Sequence, residues 1–184
     1  PLSGGFEPPE TLDLIAHYPN ACFFFAPTMV HRLIGHEAFE GADVSNIKLI
    51  VYGGGPMYEA DIRKALDAVG PKFCQIYGQG ECPMCITSLT RSHVADRGHQ
   101  NWRGRLGSVG RAQSLVDVRI VDAEGRDLPA GAVGEITVRG LPVMPGYWRN
   151  PTASAETLRD GWLWTGDMGR LDDQGFLTLQ DRSK

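Results

Sequence analysis

The sequence predicts an α/β fold: a parallel-sheet subdomain of alternating strands and helices, followed by a small antiparallel β-barrel-like subdomain. Two observations carry that expectation. Up to Glu81, short continuous apolar runs alternate with segments of helical spacing, the pattern of a parallel sheet with crossover helices. Beyond Arg105, runs of period two are separated by turn compositions, the pattern of antiparallel strands. At 184 residues the chain has room for one large or two small cores.

Each element follows from local chemistry. Pro8-Pro9 with Leu12, Ile15 and Ala16 at helical spacing predicts a proline-started helix ending near Tyr18-Pro19. Ala21 to Ala26 is an apolar run expected to form a strand covered on both faces, and Pro27-Thr28 opens a second amphipathic helix. Ile47 to Tyr52 predicts a strand, Gly53-Gly54-Gly55 a turn, Pro56 to Val69 a helix, and Phe73 to Tyr77 a third strand. Arg91 to Arg105 is polar and reads as a surface connection, which sets the expected subdomains at 1–103 and 104–184. Leu115 to Val121 and Val133 to Arg139 then alternate as strands. Asn150-Pro151 to Leu158 offers an Asn-capped helix, and Asp172 to Gly175 turns a final hairpin.

Composition excludes several partners. The net charge of -4, from 18 basic and 22 acidic residues, gives no footprint for nucleic acid or anionic lipid. No apolar run approaches a membrane span, so a soluble cytoplasmic protein is expected. Cys22, Cys74, Cys82 and Cys85 read as reduced thiols; Cys82-Pro-Met-Cys85 has half a zinc spacing, but the other two are isolated. Trp102, Trp148, Trp162 and Trp164 are expected to pack the barrel.

The candidate chemistry sits at glycine-rich corners. Gly53-Gly54-Gly55-Pro56 and Tyr77-Gly78-Gln79-Gly80-Glu81 each follow a strand and are expected to meet at one crevice, since ligands in parallel sheets collect at the carboxyl ends of strands. Tyr77 offers a stacking face and Glu81 a hard oxygen ligand for Mg²⁺. No Lys-Ser or Lys-Thr follows the triple glycine, so it is not a Walker-type phosphate loop. In GWLWTGDMGRLDDQGFLTLQDRSK, Asp167 is an acceptor of hydroxyl protons and Arg182 a forked donor, each expected at a strand end; the pair suits a ribose diol.

The set YGGGPM (Tyr52 to Met57), IYGQGE (Ile76 to Glu81), GEITVRGLPVMPGYW (Gly134 to Trp148), GWLWTGD (Gly161 to Asp167) and LQDRSK (Leu179 to Lys184) resembles the AMP-forming acyl-CoA synthetases of the adenylate-forming superfamily. The resemblance implies an acid–thiol ligase: a carboxylate attacks the α-phosphate of ATP, releasing pyrophosphate, and the thiol of CoA then attacks the acyl-adenylate. It implies that Gly53, Gly54, Gly55 and Pro56 line the adenine with Tyr77, Gly78 and Gln79 beside it. Asp167 and Arg182 would hold the ribose, Glu81 would ligate Mg²⁺, and Lys184 would be the hinge to a C-terminal domain. One residue departs from the family pattern, because Gly80 stands where a Thr that touches the α-phosphate is usual.

The phosphate loop and the C-terminal lysine of the family are not in these residues. The expectation is therefore a fragment of a larger enzyme, ending at the hinge, inactive alone and prone to self-association along its apolar sheet edge. The stretches Phe23 to Met29, Gly53 to Gly55 and Gln79 to Met84 are apolar enough to favour a fatty or aromatic acid. The alternatives are an isolated nucleotide-binding or assembly module without catalysis, and a peptide-synthetase adenylation domain.

Overall fold

The structure, a computed structural model, describes residues 5–182, without the side chains of 181 and 182. In chain order the elements are α1 (Pro8–His17), β1 (Ala21–Phe25), α2 (Pro27–Ile34), a 3-10 turn (Glu37–Phe39), β2 (Ile47–Tyr52), α3 (Glu59–Val69), β3 (Phe73–Gln79) and β4 (Cys82–Leu89). There follow α4 (Arg91–Ala95), α5 (Trp102–Leu106), β5 (Arg111–Ala112), β6 (Val116–Val121), β7 (Gly134–Gly140), α6 (Pro151–Thr157), β8 (Leu158–Arg159), β9 (Trp162–Leu171) and β10 (Leu177–Arg182). Among the described residues no helix is long and apolar enough to cross a membrane.

The chain forms two compact units, Pro1–Gln75 with Thr90–Gly107, and Ile76–Leu89 with Ser108–Lys184. The division falls within β3 and again on either side of Thr90–Gly107, whereas the sequence predicts subdomains of 1–103 and 104–184.

In the first unit β1, β2 and β3 pair in parallel, with Phe25 opposite Tyr52 and Tyr52 opposite Gln75. Ile15 of α1, Leu33 of α2 and Ile62 of α3 are fully buried with Ile50 and Phe73 of the strands, so the helical spacing read from the sequence is the core-facing stripe. Tyr52 is buried, and its hydroxyl donates to Gln75 Oε1 at 3.3 Å. Three expectations need correction. β1 is not covered on both faces: Cys22 is exposed and Phe24 half-exposed, and these alternate positions share one face of the strand. α3 begins at Glu59 instead of Pro56, where Glu59 and Asp61 put negative charge in its first turn. The polar stretch after Thr90 holds two short helices, one capped by the Thr90 hydroxyl accepting from the His93 amide; at five residues each they are too short to show a period.

In the second unit β6, β7, β9 and β10 form an antiparallel sheet in the order β10-β9-β7-β6, curled into a half-barrel, with β8 paired to β9. Val116 and Ile120 of β6, Ile136 and Val138 of β7, Leu163 of β9 and Leu177 of β10 are buried at alternate positions of their strands. They pack with Tyr77, Cys82 and Ile86 of β3 and β4. β4 also pairs antiparallel with β5, Thr87 opposite Ala112. The tryptophans depart from the expected barrel packing. Trp102 lies in the first unit, its indole donating to the Val94 carbonyl, and Trp148 is exposed. Trp162 lies under the guanidinium groups of Arg119 and Arg139.

Candidate functional site

β3 alternates along its length, so Phe73, Gln75 and Tyr77 share its buried face and Gln79 follows on that same face. This aims the Tyr77 hydroxyl and the Gln79 amide at β9. There the ladder is interrupted: Glu135 pairs with Met168 but Thr137 with Trp164, so β9 carries extra residues between them. Bulges of this kind re-aim a side chain. Gly166 supplies the left-handed turn at φ 70°, which a side chain would disfavour. The Thr165 hydroxyl donates to the Ile136 carbonyl at 2.7 Å and accepts from the Asp167 amide at 3.1 Å, while the Gly166 amide donates to Glu135 Oε1 at 3.0 Å. The three residues Thr165-Gly166-Asp167 are thus one local device for presenting a carboxylate.

Asp167 is 8% exposed, and its Oδ2 accepts from the Tyr77 hydroxyl and from Gln79 Nε2, both at 2.7 Å. The second N–H of the Gln79 amide goes to the Thr165 carbonyl at 2.9 Å, so one side chain spans the bulge. Asp167 therefore stands inside β9 and not at a strand end. Gln79 is its brace. Tyr77 belongs to the apolar core at 8% exposure, so the stacking face expected of it is turned into that core and its hydroxyl is what reaches the site. Backbone register sets Arg182 of β10 opposite Asp167; the Arg182 side chain and Lys184 lie outside what is described.

Tyr77 to Glu81 is not a strand-to-helix corner. Gly80 and Glu81 turn the chain straight into β4, a strand hidden in the sequence by Pro83 and by Met84, which adopts φ 54°. Gly78 is required by the close approach of β4, because a Cβ there would strike the Met84 amide and the Cys82 carbonyl. Gly80 is exposed, with open space around it, so nothing steric excludes a side chain. Glu81 is half-buried; its carbonyl accepts from the Met144 amide at 2.8 Å and its Oε1 from the Tyr147 hydroxyl at 2.5 Å. The Glu81 carboxylate pushes the Tyr147 hydroxyl above its usual pKa. Sequence reasoning gave no role to Tyr147, Thr165 or Glu135, and the signal available was only their membership in two quoted motifs.

Gly53, Gly54, Gly55 and Pro56 belong to the other unit. Gly53 is buried, its amide donating to the Phe25 carbonyl at 3.3 Å, and Gly54, at φ 79°, Gly55 and Pro56 are exposed. No group of three or more His, Cys, Asp or Glu residues that could hold a metal ion occurs among the described residues.

A family model described as AMP-binding enzyme matches residues 2–148. The medium/long-chain-fatty-acid–CoA ligase FadD8 of Mycobacterium tuberculosis is 34% identical over 97% of this chain and 30% of its own length. Feruloyl-CoA synthase of an Amycolatopsis species is 34% identical over 100% of this chain and 35% of its own. Among solved structures, the amide bond synthetase McbA from Marinactinospora thermotolerans matches 98% of this chain and 35% of that one at 36% identity, with a TM-score of 0.84. ATP-bound MatB from Rhodopseudomonas palustris matches 97% of this chain and 34% of that one at 30% identity and a TM-score of 0.83. The chain spans about a third of the length of these curated relatives. It belongs to the AMP-binding enzyme family, within the adenylate-forming superfamily that its motifs resemble.

Proposed function

We propose that this chain is part of an acid–thiol ligase that activates a carboxylic acid with ATP to an acyl-adenylate and passes the acyl group to CoA. The observation that carries the reading is the braced Asp167. A carboxylate fixed on a bulge by Tyr77 and Gln79, with the backbone of Arg182 opposite, is a preorganised acceptor for a vicinal diol. In this reading Asp167 and Arg182 take the ribose, Gly53 to Pro56 the adenine edge, and Gly80 and Glu81 face the phosphates. Lys184 is the hinge.

The half-buried Glu81 fits Mg²⁺, which commonly binds one or two protein carboxylates together with substrate phosphates instead of a full protein cage. Bound there, the ion would neutralise phosphate charge as the acid attacks. The chain's own residues hold and orient the nucleotide. Preorganised contacts of this kind convert binding into positioning of the reacting atoms. In this reading the donors to the triphosphate are supplied from elsewhere in the full-length enzyme, because Lys48, Lys64 and Lys72 lie in no Gly-rich Ser/Thr loop. These residues alone should therefore bind nucleotide weakly and not turn over.

Acid-dependent ATP–pyrophosphate exchange by the full-length protein, run with medium-chain, long-chain and aryl acids, tests the reading. Exchange with a fatty or aryl acid, followed by thioester formation with CoA, is expected. Similarity to an amide bond synthetase makes an amine the competing acceptor, and amide formation without thioester would favour it. Exchange only with amino acids would favour a peptide-synthetase domain, and no exchange with any acid a binding module.

A further inference from the structure

The loop between β7 and α6 closes on the hairpin that carries Glu81, through two contacts: the Met144 amide to the Glu81 carbonyl and the Tyr147 hydroxyl to the Glu81 carboxylate. Tyr147 is itself held from α6 through its backbone: its amide donates to the Ser154 hydroxyl at 2.8 Å, which in turn donates to the Asn150 carbonyl at 2.8 Å. α6 has no fully buried residue, and its Ser154 hydroxyl fixes the backbone of Tyr147, whose phenol meets one carboxylate.

We propose that Tyr147, set by Ser154, is a positioning residue for Glu81: it occupies one carboxylate oxygen and leaves the other to the divalent cation that accompanies a nucleotide. The inference rests on the reading of Glu81 as a metal ligand. A carboxylate at a hairpin tip has several rotamers, and a hydrogen bond from a pinned phenol selects one before the cation arrives. Tyr147 does not touch substrate in this role.

The test uses the full-length protein and a non-hydrolysable ATP analogue, with the equilibrium Kd read by tryptophan fluorescence at saturating Mg²⁺ and in EDTA. Outer partners of metal ligands commonly carry 10- to 100-fold in metal affinity, so Tyr147→Phe should weaken the Kd with Mg²⁺ by about tenfold. Its Kd in EDTA should equal that of the wild type. Ser154→Ala should shift the Mg²⁺ value in the same direction by less, and Glu81→Gln should abolish the gain from Mg²⁺. Equal weakening with and without Mg²⁺ in Tyr147→Phe would make the residue merely structural and overturn the proposal. A full Mg²⁺ gain in Tyr147→Phe, with the gain lost in Glu81→Gln, would overturn it while leaving the metal reading of Glu81 intact. An unchanged Glu81→Gln would overturn both.

Discussion

Replacing Tyr77 with Phe removes the hydroxyl that donates to Asp167 Oδ2 and keeps the ring. The ring stays in its core among Cys82, Ile86 and Val109, and Gln79 still donates to Asp167 Oδ2. The lost interaction is a 2.7 Å bond from a buried hydroxyl to a carboxylate that is 8% exposed. Hydrogen bonds to charged groups contribute about 1.5–3 kcal/mol, more than neutral pairs, because the acceptor has been taken out of water. For a chain of this size that corresponds to a fall in Tm of roughly 3–12 °C. Urea unfolding followed by tryptophan fluorescence measures it. Tyr77 and Gln79 share one oxygen, so a cycle with Gln79→Ala should show coupling of about 0.5 kcal/mol or more. A Tyr77→Phe protein within about 0.5 kcal/mol of wild type, with no coupling to Gln79, would refute the claim that this pair sets Asp167.

The hairpin glycines should behave oppositely. Gly78→Ala forces β3 and β4 apart and should lose about 2 kcal/mol or more in unfolding experiments, whereas Gly80→Thr enters open space and should stay within about 0.5 kcal/mol of wild type. Gly166→Ala keeps the bulge only at the cost of a left-handed alanine, about 1–2 kcal/mol by the same measurement, with a parallel loss of nucleotide affinity. Burial pushes the Tyr52 hydroxyl well above its ordinary value of 10.0, so its contribution to stability is complete below that pH and is lost as pH rises from there toward the folded value. Burial also raises the Cys74 and Cys82 thiols, so the decline begins near their ordinary 9.0. Tyr52→Phe should accordingly flatten the fall in unfolding free energy above about pH 10, and an unchanged slope would count against the buried tyrosine.

Where the sequence was legible, the physics was local. Pro at the first turn of α1, α2 and α6, the apolar stripes of α2 and α3, and period two in β6 and β7 are properties of neighbours in the chain, and each of these elements formed, although α3 starts at Glu59 and not at Pro56. β4 was missed because Pro83 and the left-handed Met84 break a strand pattern that only contact with β3 and β5 sustains. The motif residues were visible one by one, yet their geometry was not. Gln79 and Asp167 are 88 residues apart, and Glu81 and Tyr147 are 66 apart. The bulge that turns Asp167 inward depends on β7 and β10 as much as on the Gly166 that marks it. A sequence shows that a carboxylate follows Thr-Gly; the sheet decides which donors meet it.

In the proposed function Asp167 is the acceptor for a ribose diol. The most direct measurement compares the Kd of AMP with that of 2′,3′-dideoxy-AMP for the full-length protein and for its Asp167→Ala variant. If the carboxylate takes the hydroxyls, the wild type should favour AMP by about tenfold to a hundredfold, the equivalent of 1.5–3 kcal/mol. Asp167→Ala should then bind the two ligands equally. A wild type indifferent to the hydroxyls, or a variant that still prefers AMP by the full factor, would contradict the assignment.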